Sequence, residues 1–519
     1  MRRLHPAVVL LLCAFAAVAG CGERERADGP PASVLHRGNA FEPETLDPHR
    51  VRSVETFNII RDLYEGLIAE QPGGELGPGV AETWTVSEDG LTWRFRLRDN
   101  ARWSNGDAVT AEDFAWSLRR AVHPDTGSYY AQMLSVIEDI SVPEPGVLVL
   151  HLSGPTPYLP GLLAQPIAYP VHRATVETHG ERFTRPGLNV SNGAYRIVEW
   201  EAHSHVRVER NLYYWNDERT RIHAVVFHPI EAESTELARY RAGDLHMTRT
   251  IPVQQYEWLQ RNLSDELHVT PYLSTYFYGF NLTKPPFQGN LPLRKALSLA
   301  IDREVLAEQV VGSGEVPAYA WVTPGIDNYE TQRPEWADWP RDQRLAEARR
   351  LYAEAGYSAR NPLRVELRYN TAESHRRIAV AIASMWREQL GVEATLHNEE
   401  WQVFLNSRQS QQLEVYRSGW VGDYNDANTF AEAMMSTHGL NDMGWKNEEY
   451  DQLVVAAGRE RDPAARRELL EQAERLLLSE YPVMPIYYYV SKALVKPTVG
   501  GYVPNVMNVH PSRHLYLRD

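Results

Sequence analysis

Cysteine is nearly absent from this sequence of 519 residues, which contains only Cys13 and Cys21. Cys13 lies in an amino-terminal segment that we predict is removed, so Cys21 would be the single cysteine of the mature chain. That leaves no internal disulfide, no cysteine-based zinc site and no cysteine nucleophile. The fold must be stabilised by its buried core, and a chain of this length is predicted to form two to four domains.

Basic charge and catalytic motifs are also scarce. The chain has 53 Lys and Arg against 68 Asp and Glu, a formal net charge of -15, and phosphate contacts need a basic face, so no nucleic-acid partner is expected. Neither H-E-x-x-H nor G-x-S-x-G occurs. His203 and His205 share one side of a predicted strand, with no obvious third metal ligand. We predict that the chain is not an enzyme and has no metal site and no cofactor; an exported peptidase is a remote alternative.

The amino terminus has the features of a lipoprotein signal. A positive start is followed by the apolar run Val8 to Ala19, and the small residues before Cys21 form a lipobox. This run is shorter than the about 20 apolar residues that a spanning helix needs. We predict a signal peptide over 1–20, lipidation of Cys21 and a polar tether over 21–32, which places the protein in the periplasm on a membrane leaflet left open. An ordinary secretory signal with an incidental cysteine is the alternative.

Strand and helix patterns alternate along the rest of the chain. Thr92 to Arg98 alternates as a half-buried strand, and Thr110 with Asp113 predicts a capping box for a helix that ends near Ala121. Asp462 and Pro463 predict the start of a helix that runs to Glu480. The 14 Trp, 27 Tyr and 12 Phe exceed what a core requires and favour a large cavity with aromatic walls. The pattern predicts a mixed α/β protein of more than one lobe.

Nine sequence blocks, in order along the chain, are distinctive. They are TLDPHR (45–50), RDLYEGL (61–67), PGVAETW (78–84), WRFRLRDNARWSNGDAVTAEDFAWSLRR (93–120), NGAYRIVEW (192–200), RYRAGDLHMT (239–248), YNTAESH (369–375), GWVGDYND (419–426) and YYYVSKALVKPTVGGY (487–502). Together they resemble the family 5 solute-binding proteins of ABC importers, and the later blocks resemble its oligopeptide-binding branch.

The resemblance implies a periplasmic binding protein type II-like fold, mixed α/β, in which two lobes and a third, inserted domain enclose the ligand. Domain I would comprise 33–64, 173–274 and 491–519, domain II would be 65–172, and domain III would be 275–490. The implied function is the capture of short peptides outside the cytoplasm and their delivery to a permease with its ATPase subunits. The implied state is a monomer that is attached to the membrane by its lipid.

A pocket for peptides of any sequence must recognise their shared groups, which are the backbone and the two charged termini. A buried ammonium needs a carboxylate partner, and Asp423 matches the family position that supplies it. Gly419, Val421 and Val54 match main-chain contacts to the peptide, as expected for strand addition. The alternative for Asp423 is a turn-capping role before Asn425.

Six further positions match the walls and cations of the family's cavity. The resemblance implies that three aromatic residues form walls and that three cations meet the peptide carboxylate or another ligand charge: Tyr130, Trp401 and Tyr489, and Arg408, His375 and Arg417. Taken singly, an aromatic residue belongs to the core more often than to a ligand wall. Arg417 could instead belong to a structural ion pair.

Two positions depart from the oligopeptide-binding branch. Val311 stands where a lysine meets the carboxylate of one ligand length, and Arg52 stands where a glutamate is found. We therefore expect a shifted length preference or a modified peptide such as a murein fragment. A nickel chelate, haem or an oligosaccharide are alternative ligands within the family, and presentation of the ligand to a chemosensor is an alternative to import.

Overall fold

The structure is a computed structural model that describes residues 33–438 and 441–518, apart from the side chain of Gln402. The predicted signal peptide, Cys21 and the predicted tether lie outside these residues. Among the helices that are described, none combines the length and hydropathy needed to cross a bilayer.

Strands and helices alternate through the described chain. The strands are β1 Val34–Gly38, β2 Ile68–Glu70, β3 Leu76–Pro78, β4 Ala81–Val86, β5 Thr92–Leu97, β6 Ile137–Glu144, β7 Val147–Leu152, β8 Tyr195–Glu201, β9 His205–Arg210, β10 Ala224–His228, β11 Leu267–Phe280, β12 Val316–Pro317, β13 Arg364–Asn370, β14 Glu393–Glu399, β15 Val415–Val421, β16 Val483–Leu494, β17 Val499–Gly500 and β18 Tyr516–Leu517. The α-helices are α1 Val54–Leu63, α2 Ala111–Val122, α3 Leu159–Leu163, α4 Arg173–His179, α5 Glu233–Ala242, α6 Tyr256–Asn262, α7 Leu291–Leu299, α8 Arg303–Val305, α9 Arg341–Glu354, α10 Glu373–Leu390, α11 Trp401–Gln409, α12 Asn428–Glu432, α13 Glu448–Arg459 and α14 Pro463–Glu480.

Three main sheets organise the fold. The first sheet has the order β1-β10-β9-β8, the second β4-β5-β7-β6, and the third β12-β16-β11-β15-β13-β14. Each sheet covers a buried apolar cluster of its own, with Phe227 in the first, Phe95 in the second and Tyr276 in the third. This arrangement is a mixed α/β fold with separate cores, as the sequence predicted.

The local patterns confirm several predicted elements. Trp93, Phe95 and Leu97 are buried along β5 while the intervening arginines are exposed, which is the predicted alternation. Both hydrogen bonds of the capping box at Thr110 and Asp113 are present. Helix α14 begins at Pro463 because the Asp462 side chain accepts from the third amide of the helix, that of Ala465.

The second sheet lies entirely within the predicted domain II, whereas β11 and β16 cross the predicted boundaries at 274/275 and 490/491. These two strands pair antiparallel from Leu267 with Leu494 to Gly279 with Val483, with irregularities between Pro271 and Thr275 and between Tyr276 and Phe277. The division into three domains stays a prediction. The structure adds that the proposed passage from domain I to domain III consists of two adjacent, paired strands.

Candidate ligand-binding site

A cavity of about 280 Å³ brings together four residues that the sequence singled out, namely Val54, Tyr130, Val421 and Asp423. Its remaining lining is mostly apolar and comes from distant parts of the chain: Phe57, Arg61, Met133, Gln165, Pro166, Ile167, Tyr272, Leu273, Gly422, Met507 and Val509. All three predicted domains contribute to this lining. A larger groove of about 600 Å³ runs along α13, but it is open to solvent. Its lining comes only from one face of α13 and from Glu460, the residue that follows the helix.

Asp423 supplies a negative charge to this cavity without a cationic partner. Among the described residues no ion pair includes its carboxylate, and desolvation by the surrounding protein raises its pKa to about 6. The neighbouring Asp426 performs the structural roles instead. It accepts from the amide of Asn428 at 2.8 Å and forms a bidentate ion pair with Arg466. The turn-capping alternative therefore fits Asp426 better than Asp423.

Within the part of the chain that the structure describes, the strand that leads to Asp423 is unpaired along most of one side. β15 pairs with β11 along its whole length, from Val415 to Val421, but with β13 only at Val415 and Tyr416. The amide of Gly422 donates to the carbonyl of Leu273 at 2.8 Å. In an antiparallel ladder the backbone groups of successive residues point alternately toward the partner strand and away from it. Since the amide of Gly422 points toward β11, the N–H and C=O groups of Val421 and Gly419 point away from β11. Another extended chain could pair with them there.

Arg417 lies earlier on β15 and is bound by neutral groups. Its guanidinium donates to Asn370 Oδ1 at 3.0 Å and to the Tyr489 hydroxyl at 3.2 Å, and it lies 5.0 Å from the centre of the Tyr276 ring. No carboxylate within the described part of the chain forms an ion pair with it. The structural ion pair that the sequence left open for Arg417 is thus not found there.

His375 and Tyr489 belong to the same group as Arg417. His375 Nδ1 lies 3.3 Å from the Tyr276 hydroxyl, and burial together with the charge of Arg417 lowers the pKa of His375 to about 3. A neutral imidazole can donate one hydrogen bond but adds no charge. Arg417 is therefore the cation of this group, and none of the three residues lines the 280 Å³ cavity.

Two predicted site residues lie elsewhere. Arg408 forms an ion pair with Asp442, with Nε and Oδ2 2.5 Å apart, and donates to Ser418 Oγ at 2.6 Å. Because Asp442 neutralises the charge of Arg408 within the protein, Arg408 would attract a ligand carboxylate only weakly. Trp401 stands at the start of α11, is 44% exposed and stacks on Phe404, outside the cavity lining.

The two departures from the family pattern, Val311 and Arg52, lie next to the Tyr276 cluster and the cavity wall, respectively. Val311 ends a π-helical turn and packs against the apolar cluster that contains Tyr276 and Tyr487. The carbonyl of Arg52 accepts from the Tyr130 hydroxyl at 3.2 Å, so its backbone adjoins the cavity wall while its guanidinium lies 5.8 Å from the Tyr129 ring. At Val311, then, a neutral side chain stands at the position where the resemblance implies a lysine.

Sequence reasoning missed most of the apolar lining. Phe57, Met133, Ile167 and Met507 come from segments with no local signal for ligand contact, and only the fold brings them to Asp423. Arg61 also lines the cavity, but its guanidinium is held by a buried bidentate contact to Glu70 at 2.8 and 2.9 Å. Its position in the RDLYEGL block was the only available hint.

Comparison with known proteins identifies the family. The profile described as bacterial extracellular solute-binding proteins, family 5 Middle, matches residues 75–442. The periplasmic oligopeptide-binding protein OppA of Escherichia coli is 39% identical over 487 residues, which cover 90% of this chain and 89% of that protein.

Two solved structures support the same assignment. The murein tripeptide-binding protein MppA in its unliganded open form has a TM-score of 0.84 at 36% identity and covers 94% of this chain and 98% of its own. Haemophilus influenzae OppA in complex with the peptide RPPGFSPFR has a TM-score of 0.77 at 36% identity, with 94% and 99% covered. These relatives are binding proteins, and this chain belongs to the family 5 extracellular solute-binding proteins.

Proposed function

We propose that this chain is the peptide-binding subunit of an ABC importer. The observation that carries the proposal is the carboxylate of Asp423, which has no cationic partner among the described residues and lies in a mostly apolar cavity next to the open edge of β15. A buried charge without a partner is costly, so its presence favours a ligand that brings the opposite charge. A free α-ammonium followed by an extended backbone fits both features at once.

In this mode the peptide would pair with the outward groups of Gly419 and Val421 while its ammonium meets Asp423. Arg417, which has no acidic partner among the described residues, would receive a carboxylate farther along the ligand. Val54 and Tyr130 would close the opposite wall of the cavity. The groups recognised are common to all peptides, and no bond is made or broken.

The protein would act outside the cytoplasm, where its relatives OppA and MppA are named as periplasmic proteins. We propose cleavage after residue 20 and lipidation of Cys21, which would hold the protein at the membrane beside its permease and ATPase subunits. Intact-mass measurement of the mature protein tests this proposal, since diacylglycerol and an acyl chain add a defined mass to a chain that begins at Cys21.

A murein peptide is the second candidate ligand. The likeness to the murein tripeptide-binding protein MppA and the neutral Val311 both favour it. The choice between an ordinary and a murein peptide can be made by mass spectrometry of the ligand that is retained through purification.

The deciding experiment is titration calorimetry with one tetrapeptide in its free and N-acetylated forms. Acetylation removes the ammonium, so we expect at least about a 100-fold loss of affinity, as for breaking a buried charge pair. Asp423→Asn should cause a similar loss with the free peptide, whereas Asp265→Asn, at an exposed position, should cause none. Equal binding of the two peptide forms would contradict the proposal.

A further inference from the structure

The outer face of the first sheet carries a cluster of metal-ligating side chains. Glu199 and Glu201 lie on β8, and His205 lies on the adjacent β9, directly opposite Glu201. Sequence analysis found no third ligand for His203 and His205. The structure supplies two carboxylates for His205, while the side chain of His203 is not part of the cluster.

The separations within this cluster suit one small cation. His205 Nε2 lies 3.2 Å from a carboxylate oxygen of Glu199, and His205 Nδ1 lies 3.9 Å from a carboxylate oxygen of Glu201. One ligand atom from each of the three residues lies within 4.8 Å of the others. Zinc binds nitrogen and oxygen at about 2.0 to 2.2 Å, so two ligands at a tetrahedral angle are about 3.3 Å apart. A doubly protonated imidazole could meet the two carboxylates through its two N–H groups, whereas a metal ion would draw one atom of each residue to a single point, and metal titration distinguishes the two.

The surroundings orient the imidazole and leave the carboxylates available. Ser204 Oγ lies 2.9 Å from His205 Nδ1 and can accept a hydrogen bond from Nδ1–H, which leaves Nε2 to face Glu199. The side chains of Glu199 and Glu201 are 51% and 64% exposed, so both can rotate toward an ion.

Other groups pack on the same face and bear on the charge of the cluster. The nearby Arg207 forms an ion pair with Glu209 at 3.0 Å, so its charge is partly neutralised. The ring of His228 lies 6.4 Å from that of His205, and its Nε2 is 3.1 Å from His36 Nδ1. A second imidazole is thus close to the three ligands, and water can complete the coordination from the exposed side.

From this geometry we propose that Glu199, Glu201 and His205 form a binding site for one divalent transition-metal ion of the zinc type. The set combines imidazole nitrogen with carboxylate oxygen, and zinc can be held by three protein ligands with water in the fourth position. None of the three residues lines the peptide cavity, so the metal site is independent of the proposed function.

The test is titration of Zn²⁺ into the purified, chelator-treated protein, produced without a histidine-containing tag and followed by calorimetry. We expect saturable binding of one equivalent. His205→Ala and Glu199→Gln should each weaken it at least tenfold because each removes one ligand. His179→Ala, which changes an exposed histidine at the end of α4, should leave it unchanged.

Circular dichroism and peptide titration check that every variant folds. If His205→Ala does not fold, Glu199→Gln and Glu201→Gln decide the question, since both change exposed side chains and keep their shape. Absence of one-equivalent binding overturns the proposal, as does binding that survives in both glutamine variants. Loss of binding in His228→Ala with full retention in His205→Ala would also overturn it.

Discussion

Charge pairing separates the ligand-binding candidates from the structural residues at the level of single side chains. Arg61 is buried and Arg408 is partly buried, and each has a carboxylate partner, Glu70 and Asp442. Asp423 and Arg417 have none among the described residues, although the protein desolvates both. Because a buried charge is retained only when something compensates for it, these two residues are the ones that we expect to meet the ligand's charges.

The raised pKa of Asp423 predicts that peptide affinity falls in acid. Only the ionised carboxylate attracts an ammonium, and with a pKa of about 6 the ionised fraction falls from about one half at pH 6 to about one tenth at pH 5. The stability of the ligand-free protein changes with pH in the opposite direction. Between about pH 4 and pH 6 the folded state binds more protons at Asp423 than the unfolded chain does. The contribution of Asp423 to the free energy of unfolding therefore decreases as pH rises through that range. Calorimetry with one peptide from pH 7 to pH 4.5 measures the affinity.

Glu432 provides the control for this pH series. Burial raises its pKa to about 7, and its carboxylate accepts from the Tyr424 hydroxyl and from Asn428. Glu432→Gln should keep the acid loss of affinity, whereas Asp423→Asn should bind weakly with little dependence on pH. If Glu432→Gln abolished the pH dependence instead, the assignment to Asp423 would be wrong.

The sequence allowed prediction of those site residues that belong to a local motif. The GWVGDYND block predicted Asp423, Gly419 and Val421, and the structure brings Asp423 and Val421 to one cavity. The partner of Arg408 could not be predicted, because Asp442 lies in a different segment and an ion pair leaves no periodic signal. The same holds for the apolar lining, since nothing local distinguishes a cavity methionine from a core methionine.

At the level of elements, the unpaired side of β15 is what could accept a peptide strand. We predict that Val421→Pro weakens peptide binding about threefold to tenfold, because it removes one outward N–H and leaves the ladder to β11 intact. Val421→Ala should bind as the unchanged protein does, since only the backbone is used. Calorimetry measures both affinities.

Thermal unfolding of both Val421 variants separates a binding effect from a folding effect. Proline is tolerated on unpaired strand edges, so the melting temperature should change little. An affinity loss in Val421→Ala equal to that in Val421→Pro would show that the side chain makes the contact and would contradict strand addition.

Helices and strands with strong local signals could be predicted from the sequence, whereas the full length of a long strand could not. The helix at Pro463 and the strand at Thr92 were predicted because a cap and an alternation are written into a few residues. The predicted boundary at 274/275 falls inside β11, which pairs with β16 on both sides of Pro271. Long-range pairing decides where such a strand ends, and a local pattern does not contain that information.

At the scale of the whole molecule, the cavity wall is divided among separate units. Tyr130 packs with the second sheet's core, and Asp423 follows a strand of the third sheet. Tyr158 stacks on Tyr424 with ring centres 5.2 Å apart, which brings these two units into direct contact. The paired strands β11 and β16 are the flexible connection that we propose between the first and third sheets. A ligand that contacts several units would favour the arrangement in which they are close together.

We therefore predict that a free peptide lowers the radius of gyration measured by small-angle X-ray scattering. Binding energy is gained fully only when Asp423, the edge of β15 and the wall around Tyr130 contact the ligand together, so ligand contacts must favour the closed population. The N-acetylated peptide, at the same concentration, should leave the radius unchanged because it cannot pair with Asp423. If both peptides bind and neither changes the radius, the cavity is already closed without ligand, and β11 and β16 do not act as a hinge.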